Sequence, residues 1–166
     1  MRRITISLLT LVALTSTAMV AAWAASPHYK KGPTYADNGL TATASGSLAG
    51  LGNGNVIVTL SFPNATGTTT CSNKGGNQAA GQNPATPAAA SGSQLITQVK
   101  NGTVSFVVTT DPPANPTSDA AGCPNGNWTA AFDNITFGSG TLTVQQETFQ
   151  GSAVYVTVIV TNVFLS

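Results

Sequence analysis

The chain has 166 residues, of which only 7% are charged, and a formal net charge of +1. Once Arg2 and Arg3 are set aside, four Lys stand against five acids and no Arg remains. The clustered cations that hold nucleic acid or an anionic membrane by neutralising phosphates are therefore excluded. The length suits one domain with a real core, made soluble by Thr, Ser, Asn, Gln and Gly rather than by charge.

The first predicted element is not part of the fold. Arg2 and Arg3 form a basic n-region, Ile4 to Val20 a mainly apolar h-region, and Ala22-Trp23-Ala24 a small-x-small cleavage site. Residues 1–24 read as a secretory signal peptide, cut after Ala24 or Ala25. The rival reading is an uncleaved anchor, against which Thr5, Ser7, Thr10, Thr15, Ser16 and Thr17 dilute the apolar run. The expected product is secreted, extracellular and free of the membrane after cleavage.

Residues 25–39 read as an N-terminal arm, because Pro27 and Pro33 oppose regular structure. Residues 40–166 read as one β domain. LTATASGSL alternates small apolar and polar residues, which predicts a half-buried strand. Asn53-Gly54 predicts a type I′ hairpin, leading into VIVTLSF with period 2 at Val56, Val58 and Leu60. Pro63-Asn64 stops that strand, and a short Thr-rich strand follows from Gly67 to Ser72. Beyond a long loop, SQLITQVK and TVSFVVTT flank Asn101-Gly102, the clearest hairpin in the chain. Leu95, Thr97 and Val99 are expected on one face of its first strand, and Val104, Phe106 and Val108 on one face of its second. A second long loop, Asp111 to Asn127, precedes strands broken at Asp133-Asn134 and at Gly138-Ser139-Gly140. The final run, SAVYVTVIVTNVFL, is nearly continuous in β-branched and apolar residues, which predicts a central strand buried on both faces. The alternative for this run is an exposed edge that adds to a neighbouring molecule. Many short strands between Gly, Pro and Asn turns, with no amphipathic helix, predict an all-β fold. The expected form is a two-sheet antiparallel sandwich of immunoglobulin-like architecture, with a closed barrel as the alternative.

Cys71 and Cys123 are the only cysteines. An even count in an oxidising compartment predicts that they pair. Each sits beside one of the two long loops, so 73–92 and 111–127 are expected to lie together at one end of the sandwich. That end holds the candidate contact residues: Trp128 offers an aromatic face, and Asn73, Asn77, Gln78, Asn125 and Asn127 offer paired donors and acceptors suited to a glycan. The bland alternative has Trp128 packed on the disulfide and the amides capping turns.

Other chemistry is hard to assemble. The GGNQ segment leads into Pro84 rather than a helix N-terminus, so it lacks the donors of a phosphate cradle. His28 fails as a copper ligand of a free N-terminus, because Pro27 has no amide N–H to deprotonate. Neither a zinc spacing nor a DxDxDG calcium loop is present, and no cofactor or metal is expected. A serine triad would have to use His28, without a GxSxG elbow. Catalytic carboxylates would have to come from Asp111, Asp119 and Asp133.

The chain carries Cys71-x-Asn73-x-Gly75-Gly76-Asn77-Gln78, then Gly81-Gln82-Asn83-Pro84, then Cys123-Pro124-Asn125-x-Asn127-Trp128. It resembles a family of small secreted bacterial β-sandwich proteins, actinobacteria among their sources, with no assigned activity. Gly50-Leu51-Gly52 is similar as well, whereas Ala80 stands where the family more often has Pro. The resemblance implies a secreted β domain with a disulfide and implies no activity.

The function expected from these residues is a non-enzymatic extracellular module, structural or binding, whose disulfide-tethered loops contact a cell-surface glycan or protein. The alternatives are a small secreted hydrolase using the three loop carboxylates and a self-assembling surface or fibre subunit.

Overall fold

A computed structural model describes residues 26–97, 99–149 and 152–166; the expected signal peptide lies outside the described residues. Among them run eleven strands and one short helix. The strands are β1 (His28–Asp37), β2 (Ala42–Ala49), β3 (Val56–Phe62), β4 (Thr66–Ser72), β5 (Gln78–Ala80), β6 (Thr86–Pro87), β7 (Ala90–Ile96), β8 (Val104–Thr109), β9 (Thr129–Thr136), β10 (Gly138–Phe149) and β11 (Ala153–Leu165). The helix α1 (Ser118–Ala121) lies between β8 and β9. Every ladder is antiparallel, so the expected all-β fold is observed.

The first sheet has the order β1-β2-β8 and the second β11-β10-β3-β7. They are layered because each has one apolar face to hide from water. Val56, Val58, Leu60 and Phe62 alternate inward along β3, as the period-2 pattern predicts, and all four are fully buried. Each such side chain stabilises the fold by about 1.5–3 kcal/mol relative to exposure. Leu142 and Val144 of β10 join them from the same sheet; Ala42, Ala44, Leu48, Phe106 and Val108 meet them from β2 and β8. The layers are tied along one side, where the Val107 amide donates to Gln94 Oε1 (3.0 Å) and the Asp111 amide to the Ser91 carbonyl (2.9 Å).

The third sheet continues the second. Ser61 faces Thr141 in the β3–β10 ladder, and Thr66 faces Thr136 in the β4–β9 ladder. Five residues forward on one strand matches five back on the other, so the register survives the break. Phe62 and Phe137 fill that bend, with ring centroids 5.1 Å apart. The far edge of β4 pairs with β5 and β6, and this extension carries the two long loops.

Several expectations need correction. Residues 28–37, expected as an irregular arm, form the edge strand β1 against β2, with register shifts flanking Lys31. Edge strands and irregularities tolerate proline, whose missing N–H need not enter a ladder, and so Pro33 is accommodated. Asn53-Gly54 does not make a hairpin: β2 and β3 belong to different sheets. The segment is a crossover held by Glu147, whose amide donates to the Asn55 carbonyl (2.7 Å) and whose Oε2 accepts from the Asn55 amide (3.1 Å).

Asn101-Gly102 does form a tight turn, with φ of 52° and 67° and a bridge between Lys100 and Thr103. The strands it was expected to pair diverge instead, one into each layer. Leu95 and Val99, expected on one face, part company: Leu95 is 56% exposed, whereas Val99 packs against the core, as does Ile96. On β8 Val104, Phe106 and Val108 do share one face, and it is turned to the core. The expected break at Asp133-Asn134 is a bulge within β9, since Asn134 pairs with Thr68 and Phe132 with Thr69.

β11 is the largest departure. It is the outermost strand of its sheet rather than a central one. Only Val163 is fully buried on it, with Val158, Ile159 and Leu165 packed partly against the core. Composition made it look doubly covered, but burial depends on neighbours, and the inner side of β10 is already taken by β3.

Candidate functional site

Cys71 lies on β4, between Ala130 of β9 and Ala79 of β5, where small partners leave room for the bridge. It is bonded to Cys123, just beyond α1, with Cα atoms 5.7 Å apart. The loops are also joined by hydrogen bonds. The Gln82 and Asn83 amides donate to the Gly122 and Ala121 carbonyls (3.3 and 3.2 Å), and Asn83 Nδ2 to the Ala120 carbonyl (2.9 Å). Gly81 makes the approach possible: a Cβ there would stand 2.7 Å from the Ala121 carbonyl oxygen and collide with Thr69 Oγ1. The two loops thus meet as expected.

α1 is a single turn with complete caps. Thr117 Oγ1 accepts from the Ala120 amide (3.2 Å), and Gly122 closes the C-terminus in the left-handed region. The Cys123 amide donates to the Ser118 carbonyl (2.8 Å), and Ser118 Oγ donates to the Trp128 carbonyl. The helix therefore sets both the position of Cys123 and the backbone under Trp128.

Two asparagines shape the rim by folding back on their own loops. Asn73 Oδ1 accepts from the Gly75 and Asn77 amides (both 3.0 Å). Asn125 Oδ1 accepts from the Asn127 amide (3.0 Å), and the Asn125 carbonyl from the Trp128 amide (3.2 Å). These are the turn-capping roles of asparagine, so for both residues the side-chain oxygen is engaged structurally.

Trp128 is half-buried and lines two open depressions. One, of about 540 Å³, is bounded by Asn73, Lys74, Gly75, Gly126, Asn127 and Thr129. The other, of about 450 Å³, is bounded by Asn115, Pro116, Thr117, Ser118, Thr129 and Ala130. Of the six candidate contact residues, Trp128, Asn73 and Asn127 line the first depression. Asn77, Gln78 and Asn125 are exposed at the same end but do not line either one, with Gln78 paired to Ser72 across β4–β5. Sequence reasoning missed Lys74 and the Asn115–Ser118 wall; the capping pattern Thr117-Ser118-Asp119 was the signal that could have placed that wall near Trp128.

The three carboxylates have separate settings. Asp119 lies in the only turn of α1, Asp133 Oδ2 accepts from Thr70 Oγ1 (2.9 Å), and Asp111 opens the loop after β8, its amide bonded to Ser91. Among the described residues no three His, Cys, Asp or Glu side chains gather where they could hold a metal ion.

No protein-family model matches this sequence, and no curated relative matches it either.

Proposed function

We propose that this chain is a secreted, non-enzymatic binding module that contacts an uncharged cell-surface glycan through the Trp128 face. The observation that carries the reading is the half-buried indole between two depressions rimmed by amides, hydroxyls and a single cation, Lys74. An aromatic face stacks on the C–H surface of a sugar, while short polar groups meet its hydroxyls. Low charge suits a neutral ligand, and the disulfide limits the ordering that binding would otherwise require. A disulfide of this kind also belongs to an oxidising compartment, which supports export.

The test is retention on immobilised polysaccharides, comparing the unchanged protein with Trp128→Ala. The expected result is retention on at least one neutral polysaccharide, lost in the variant while the circular dichroism stays the same. Retention unchanged on every polysaccharide would remove this reading.

A further inference from the structure

We propose that β11 is the interface of a two-fold homodimer, in which the free edge of β11 pairs antiparallel with the same strand of a second copy. The contrast between β11 and the other sheet edges carries the inference. A strand edge is a row of open N–H and C=O groups, and proteins guard it with charge, proline, bulges or cover.

Among the described residues every other edge is guarded. β1 carries Lys30, Lys31 and Pro33 and two register shifts. β7 and β8, each the edge of its own sheet, guard one another: Gln94 Oε1 on β7 accepts from the Val107 amide on β8, and the Ser91 carbonyl on β7 from the Asp111 amide just beyond β8. β5 and β6 have three and two residues, with Pro84 and Pro87 beside or within them. β9 is bulged at Asp133, and its Ile135 amide is taken by the Gly39 carbonyl.

β11 has none of this protection apart from one irregularity opposite Gln145. Its 13 residues, AVYVTVIVTNVFL, contain no charge, no proline and no glycine. They leave Val154, Val156, Val160 and Phe164 exposed by 44%, 42%, 60% and 71%. The hydrogen bond between β1 and β11 joins the Tyr29 and Thr161 hydroxyls (2.9 Å) and uses no backbone group of β11.

The occupant follows from charge and from size. A charged partner strand would find no counter-charge on β11, whereas a second β11 presents the same uncharged, β-branched row and is self-complementary under a two-fold axis. One open edge per copy is consumed by that pairing, so the assembly closes at two and does not grow into a fibre. A 13-residue edge is roughly 44 Å long and a sheet layer about 10 Å deep, which gives on the order of 440 Å² per copy. Stable complexes bury about 800 Å² per partner, so the dimer is a weak and reversible one.

The experiment measures the mass of the oxidised protein, as isolated from its producing cells, by sedimentation from about 1 µM to several hundred µM. Hydrogen exchange is followed at both ends of that range. The expected result is a rise from one chain to two and no further, with slowed exchange confined to residues 153–165 at high concentration. Val156→Lys combined with Val160→Lys is expected to remain a single chain with unchanged circular dichroism; if that variant fails to fold, the exchange pattern of the unchanged protein decides. A constant single-chain mass, open-ended growth, protection outside β11, or binding of a monomer to lipid vesicles through this strand would overturn the proposal.

Discussion

Cys71 and Cys123 stand 52 positions apart in sequence, yet their Cα atoms are 5.7 Å apart. The bridge fastens a strand of the third sheet to the residue that follows α1, and it fixes the loop that leads to Trp128. A loop of this length gives about 4 kcal/mol of stabilisation in the chain-entropy model. Replacing both cysteines by alanine is expected to lower unfolding stability by about that amount. Guanidinium unfolding followed by fluorescence checks it, and a loss below about 1 kcal/mol would show that the hydrogen bonds between the loops suffice.

Gly81→Ala tests the close approach of the two loops. The added methyl would collide with Thr69 Oγ1 and crowd the Ala121 carbonyl, which is backbone and yields little. A destabilisation of about 1–3 kcal/mol is expected, with faster hydrogen exchange in 81–83 and 120–123. Exchange rates in the core strands β3 and β10 should change much less.

Asn73→Ala tests the rim. It removes the acceptor of the Gly75 and Asn77 amides. The loop is exposed and water can replace the lost partner, so the expected stability loss is about 1 kcal/mol or less. If the Trp128 face binds a glycan, retention should weaken several-fold through loosening of the wall that holds Lys74. Chemical denaturation and the same retention assay separate the two effects.

Tyr35→Phe tests an unpaired hydroxyl. The Tyr35 Oη is buried without a hydrogen-bond partner, and burial, with a smaller contribution from Tyr29, raises its pKa above the ordinary tyrosine value. A raised folded pKa means that the unfolded chain loses its proton first. The associated stability is complete below about pH 10 and is lost as pH rises through and beyond that value. The variant is expected to be as stable as the unchanged protein or more so at pH 7, and to lose less stability between about pH 9 and 11. Thermal unfolding across that range checks the slope, and an unchanged alkaline slope would point to the other tyrosines.

Much of the local structure could be read from the residues themselves. The alternation of Val56, Val58, Leu60 and Phe62 dictates which face of β3 is buried, because side chains alternate across any strand. Asn101-Gly102 dictates a turn, because that pair accepts positive φ. Two cysteines and no others leave one intramolecular partner each. At the candidate site, the same logic brought Trp128, Asn73 and Asn127 to one end of the molecule.

What the tertiary structure decided is which strand lies beside which. Asn53-Gly54 and Asn101-Gly102 are the same dipeptide, yet neither joins paired strands, since the flanking strands lie in separate sheets. Ala153–Leu165 reads as a core strand and lies at the edge, because β3 had already occupied the other side of β10. Local dihedral and side-chain preferences are carried by a few neighbouring residues and are legible in order. Neighbour relations, and with them exposure, arise from contacts between residues distant in the chain, and no short stretch of sequence contains them.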